Sequence, residues 1–215
     1  MKENKETEEK TTEEKKLKKS TTKTNETKKI EKNLVGSTST EKGDDKEALA
    51  LLNLYVKPHD KVSVDVEEKD IEKVIEDATK MFKMCFLVFG NKYGAKAIAH
   101  MQINDKKPLR FFVLAGGAVV INPVIKNHTK VHIDSEEGCM SFPFGPDVTV
   151  PRYNKIDIEY RLLMDGKISD KVTQTLNGEE SKIFQHEIDH FGCKTIYDRA
   201  EMKVDKEWYN IKRVK

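Results

Sequence analysis

Gln185-His186-Glu187-Ile188-Asp189-His190 is the stretch on which the reading of this sequence turns. Its two histidines stand four residues apart, with a glutamate directly after the first. In a helix, residues at i and i+4 lie one above the other, so both imidazoles face the same way and can bind one metal ion. Glu187 then lies close to the ion's remaining position, where a carboxylate can take a proton from water, as hydrolysis requires. The spacing of Ile183, Phe184, Glu187 and Ile188 predicts a helix over residues 179–191, after Asn177-Gly178 and with Gly192 placed to stop it. The apolar residues on it argue for a packed helix with shielded imidazoles, against the alternative of two solvent-facing histidines. Shielded imidazoles need partners.

A third ligand is offered upstream by Glu136-Glu137-Gly138-Cys139-Met140-Ser141, where glycine gives the backbone freedom to turn and present a thiolate. Cys139 with His186 and His190 makes three protein ligands and leaves one position for water, the arrangement of a hydrolytic rather than a structural d-block site. A nucleophilic Cys139 paired with a histidine is the other use of these groups; H-E-x-x-H already supplies two metal-binding groups and a base in one turn. Cys85, Cys139 and Cys193 form an odd, sparse set that does not suggest a disulfide framework. Cys85 falls on the stripe Ile71, Val74, Ile75, Ala78, Met81 and Phe82, which predicts an amphipathic helix between residues 70 and 89, and reads there as a small buried apolar residue.

Between these segments the pattern is that of strands. Residues 111–114 and 118–121 are apolar runs separated by Gly116-Gly117, and Asn122-Pro123 closes the second. Ile156, Ile158, Tyr160 and Leu162 alternate with polar residues, Asp165-Gly166 makes a hairpin turn, and a further strand is expected over 171–176. Helices and strands together give an α+β class. Residues 1–45 are nearly all Lys, Glu, Thr, Ser and Asn, too little apolar surface to offset the entropy of ordering, so a disordered charged arm is expected ahead of a folded domain over 46–215. The net charge of +2, from 39 basic and 37 acidic residues, argues against dedicated nucleic-acid binding through a broad positive face. For the arm, contact with ribosomal RNA is the alternative to simple solvation. With no membrane-length apolar stretch and no apolar core for a secretory signal near residue 1, a soluble intracellular protein is expected.

Glu137 to Ser141, E-G-C-M-S, followed by Gln185 to His190, Q-H-E-I-D-H, resembles the second and third motifs of peptide deformylases. The order matches, and the similarity extends to Ile121-Asn122-Pro123, Val150-Pro151-Arg152 and Asp165-Gly166-Lys167, spanning about residues 57–199. The resemblance implies small antiparallel or mixed sheets around a central metal-binding helix, and removal of the formyl group from N-terminal formylmethionine of nascent peptides in the cytoplasm or in a bacterial-type translation compartment of an organelle. It implies that Cys139, His186 and His190 hold one divalent metal, typically Fe2+ with Zn2+ or Ni2+ as substitutes, and that Glu187 is the catalytic carboxylate. Gln102 aligns with the glutamine that ends the family's first motif, and its amide is expected to polarise the formyl carbonyl together with the backbone N–H of Met140. Ile183, Phe142 and Ile98 are the candidates for lining the methionine pocket.

The first motif departs from the family. Where G-x-G-x-A-A-x-Q is usual, this chain reads Ala95-Lys96-Ala97-Ile98-Ala99-His100-Met101-Gln102. Both glycines are missing, and alanine is expected to narrow or shift the cleft. In an extended segment His100 would share a face with Gln102 and reach metal or substrate; a bystander histidine is the other reading. These departures motivate the alternative function, a deformylase-like protein without turnover or with altered specificity that binds nascent chains or ribosomes.

Overall fold

The structure is a computed structural model and describes residues 61–84, 95–104, 106–142 and 146–200. All of these lie in the second of the two units into which the chain divides, Thr40–Lys215. The charged arm at 1–45, Cys85, and the segment from 201 onward fall outside the described residues.

Among the described residues the chain forms helix α1 (Ile71–Phe82), strands β1 (Ala97–Ala99), β2 (Phe111–Leu114), β3 (Val119–His128), β4 (His132–Glu137), β5 (Val148–Tyr153), β6 (Lys155–Met164), β7 (Lys167–Ile168) and β8 (Val172–Asn177), then helices α2 (Gly178–Phe191) and α3 (Ile196–Arg199). The larger sheet has the order β1-β2-β3-β6-β7, with β8 also paired to β6, while β4 and β5 form a separate two-stranded sheet. Every strand pair is antiparallel. The fold is the α+β arrangement of small antiparallel sheets and helices expected from the sequence.

Two sequence expectations shift in detail. Asn122-Pro123 does not end a strand: β3 runs on to His128, and its register with β6 slips between Ile121 and Val124. Proline has no N–H for the ladder and is accommodated at such an irregularity. Asn122, at φ 49°, takes the left-handed conformation that asparagine tolerates, and its side-chain amide exchanges two hydrogen bonds with the backbone of Val66 (2.8 and 2.9 Å). Likewise α2 stops at Phe191, but Gly192 has φ −97° and Cys193 carries the positive φ of 59°. At the Asp165-Gly166 turn both residues have positive φ, 49° and 73°, as a tight two-residue hairpin requires.

Helix α2 sorts its residues onto three faces. Phe184 and Phe191 enter the main core with Phe112, Ile156, Ile158 and Leu176 from the larger sheet, and the Phe112 and Phe184 rings meet edge to face at 5.0 Å. Each buried phenylalanine contributes about 2–3 kcal/mol by removal from water. Ser181 and Gln185, one turn apart, clasp β5: both donate to the Tyr153 carbonyl at 2.8 Å, and Gln185 accepts from the Tyr153 N–H at 2.9 Å. The third face, carrying Lys182, Ile183, His186 and Glu187, looks into a cavity of about 460 Å³. A helix held on two sides in this way presents its third face in a fixed orientation.

Candidate metal centre

Strand β4 ends at Glu137 and delivers Gly138-Cys139 to the mouth of that cavity. Gly138 is not in the left-handed region; a Cβ there would meet the tip of the Asp147 side chain at 2.5 Å, a contact that a turn of that carboxylate relieves. The Phe142 N–H donates to the Cys139 carbonyl at 2.8 Å and closes a turn that holds the thiol toward α2. There Cys139 Sγ lies 3.4 Å from His190 Nε2, and one ligand atom from each of Cys139, His186 and His190 lies within 4.8 Å of the other two. A tetrahedral ion with bonds of about 2.0–2.3 Å sets its ligand atoms about 3.4–3.6 Å apart, so this donor set fits a d-block cation.

Electrostatics point the same way. Burial alone raises the Cys139 thiol, but the imidazoles of His190 and His186 outweigh it and hold the group well below the usual thiol range, as a thiolate. Burial lowers His186, yet Cys139 and Glu137 together bring it well above the ordinary imidazole range. The site is built to balance positive charge between a thiolate and a carboxylate.

His186 is oriented from behind. Its Nδ1 bonds Glu137 Oε2 at 2.8 Å, which leaves the other ring nitrogen toward Cys139. Arg152 grips Glu137 with two hydrogen bonds of 2.8 Å and reaches Asp189 at 2.6 Å, and Arg199 from α3 closes on Asp189 at 2.6 and 3.1 Å. Burial raises the Glu137 carboxyl, but Arg152 and His186 bring it down to about 2. Sequence reasoning gave Glu137, Arg152 and Asp189 no role. One signal was present: alternation along β5 puts Arg152 on the buried face with Val148 and Val150, and a buried guanidinium demands carboxylates.

Glu187 is buried, its Oε2 has no hydrogen-bond partner among the described residues, and burial raises its pKa. Gln102 is also buried; its Oε1 accepts from the Ala99 N–H at 2.8 Å, so its Nε2 faces Ser141 Oγ at 3.0 Å and Cys139 Sγ at 3.8 Å. Met140, Phe142 and Ile183 line the cavity, as do Ala95 and Ala97 of the altered first motif. Ile98 does not. It is fully buried, because alternation along β1 turns it away from the side of Ala97, and Ala97 stands at the wall in its place. For His100 the structure takes the bystander reading: residues His100–Gln102 form a 3₁₀ turn rather than extended chain, and the ring points into the protein.

Cys139 with two imidazoles, beside a buried carboxylate whose Oε2 has no partner among the described residues and an open cavity, is the arrangement of a metal-dependent hydrolase. The polypeptide deformylase family model matches residues 11–206, and the chain belongs to that family, hydrolases that remove the formyl group from the N-terminus of nascent peptides. Peptide deformylase of Aquifex aeolicus is 33% identical over 154 residues, covering 67% of this chain and 80% of the relative. Peptide deformylase 2 of Nostoc sp. is 35% identical over 86 residues, 40% of this chain and 45% of the relative, so that alignment spans less than half of the relative's length. The crystal structure of peptide deformylase from Thermotoga maritima superposes with a TM-score of 0.59 at 28% identity, covering 70% of this chain and 97% of that one. No helix among the described residues is long and apolar enough to cross a membrane.

Proposed function

We propose that this chain deformylates N-formylmethionyl peptides, with Cys139, His186 and His190 holding one divalent ion, Fe2+ in first place and Zn2+ or Ni2+ as substitutes. The observation that carries this reading is the approach of the three ligand atoms to within 4.8 Å of one another beside the buried Glu187. The ion supplies Lewis-acid chemistry, lowering the pKa of water and polarising a carbonyl. Glu187 takes a proton from the attacking water and passes it to the amide nitrogen as the C–N bond breaks, which leaves formate and a free N-terminal methionine. Its raised pKa suits both halves of that transfer. Gln102 Nε2, held in place through Ala99, donates to the formyl oxygen as negative charge develops, and the Met140 N–H is the second donor. Ile183 and Phe142 face the methionine side chain, with Ala97 beside them.

Residues 46–215 form the catalytic unit in this reading, and the protein works where formylated nascent chains are made, in the cytoplasm or a bacterial-type organelle compartment. A binding protein without turnover has no feature of the described residues in its favour. The test is formate release from formyl-Met-Ala-Ser by anaerobically prepared iron protein. Glu187→Ala is expected to lower kcat by about 10³-fold or more while retaining the metal. An unchanged rate in that variant would remove Glu187 from the chemistry.

A further inference from the structure

The His100 side chain faces away from the metal centre, yet it is wholly buried and each ring nitrogen is engaged. Nδ1 accepts the Leu109 N–H at 2.8 Å, so it carries no proton, and Nε2 therefore donates to Asp77 Oδ2 at 2.9 Å. The ring also stacks on Phe111 with centroids 4.6 Å apart. Asp77 projects from α1 and is itself held by Lys73 at 3.0 Å, with Lys80 at 3.6 Å. One side chain thus ties three separate elements together: α1, the segment before β2, and the turn that carries Gln102.

That turn's other anchors are the fully buried Met101 side chain and β1, which pairs with β2 immediately before the turn; hydrogen bonds from the turn to other elements are few. The His100 carbonyl accepts the N–H groups of Ile103 (3.1 Å) and Asn104 (3.0 Å), which are bonds internal to the turn. Gln102 reaches back only to Ala99 before it faces Ser141 and Cys139. The hydrogen-bonded link from the turn to α1 and to Leu109 passes through the His100 ring. Charge strengthens that link, because Asp77 stays ionised: burial raises its carboxyl, but hydrogen bonds from His100 and Lys73 bring it to about 2.

We propose that His100 and Asp77 form a positioning pair that holds the Gln102 amide at the reacting carbonyl, a further specialisation of this chain's altered first motif. The inference rests on the reading above in which Gln102 donates to the formyl oxygen. Transition-state hydrogen bonds are sensitive to placement on the scale of 1 Å, so loosening the turn lowers kcat rather than raising KM.

The experiment is a double-mutant cycle on the full-length, iron-loaded protein with formyl-Met-Ala-Ser, using His100→Ala, Gln102→Ala and the pair. His100→Ala is expected to lower kcat about tenfold with KM within about twofold and the bound iron unchanged. Gln102→Ala is expected to cost about 10²-fold. In the Gln102→Ala background, adding His100→Ala is expected to cost less than about twofold, because there is no amide left to position. Equal losses in the two backgrounds would overturn the proposal and make His100 a packing residue only. A Gln102→Ala protein with full kcat would instead overturn the reading of Gln102, a separate result. Should His100→Ala give no cooperative thermal transition, Asp77→Asn replaces it in the same cycle, with a loss of about threefold expected and the same criterion of non-additivity.

Discussion

Among the described residues two histidines lean on carboxylates inside the fold, and the two pairs differ in what the second ring nitrogen does. Glu137–His186 and Asp77–His100 have nearly equal bonds, 2.8 and 2.9 Å, and each carboxylate is held near pKa 2 by neighbouring cations together with its histidine, Arg152 in one case and Lys73 in the other. The contrast lies in the second ring nitrogen. In His100 it is consumed by the Leu109 N–H, while in His186 it is turned toward a thiolate and a second imidazole. A carboxylate behind a histidine therefore does not mark a ligand by itself. What marks it is a backing carboxylate together with a free nitrogen aimed at other donors.

Deleting each ring in turn separates the two pairs most strongly. His186→Ala is expected to purify with less than about a tenth of the metal per chain, whereas His100→Ala keeps full occupancy; elemental analysis after dialysis reads both. Metal loss in both variants would mean that the two pairs are not distinct in kind. A smaller effect is expected one bond further out. Glu137→Gln retains an acceptor for His186 but takes away the charge opposite buried Arg152, leaving Asp189 as its sole ionic partner. Metal affinity is expected to fall about 10–100-fold, read by competition with a chelator. Stability should drop by about 3 kcal/mol in urea unfolding, since a buried guanidinium is left partly uncompensated.

The same comparison explains what could be read from the amino-acid order. Spacing alone exposes two histidines on one helix face beside a carboxylate, so the candidate group His186, Glu187 and His190 was legible, and the E-G-C-M-S stretch pointed to Cys139, which the structure brings within 4.8 Å of both rings. Alternation found β6, because a half-buried strand writes its inner face into every second residue. The groups that orient the ligands were not legible. Glu137, Arg152 and Asp189 come together from β4, β5 and α2, and nothing local in those segments says that they meet. For His100 the bystander reading holds against the metal- or substrate-contacting one, but its partners were not legible: they lie 23 residues before it and nine after it, and a 3₁₀ turn stands where extended chain would have put it beside Gln102. Ile98 failed on orientation alone, a matter of one residue in a three-residue strand.

The two pairs also separate, more weakly, on acidification. Asp77 has its carboxyl lowered from 3.8 to about 2, so as the solution is acidified the unfolded chain takes up the proton first. The stabilisation from the Asp77 charge is therefore complete above about pH 4 and is lost as pH falls from there toward 2. A shift of this size corresponds to about 2 kcal/mol. Asp77→Asn is expected to be less stable than the parent by that amount at pH 6, and the gap should narrow to about a third of that by pH 2.5, where the carboxyl is largely protonated in the unfolded chain but still largely ionised in the folded one. Glu137 titrates over the same range in both proteins, so the difference between the two urea midpoints, rather than either curve, isolates Asp77. A gap that stays constant from pH 6 to pH 2.5 would mean that Asp77 acts through shape and not charge. In that case the pair with His100 would be an ordinary core contact, and its likeness to Glu137–His186 would be one of geometry only.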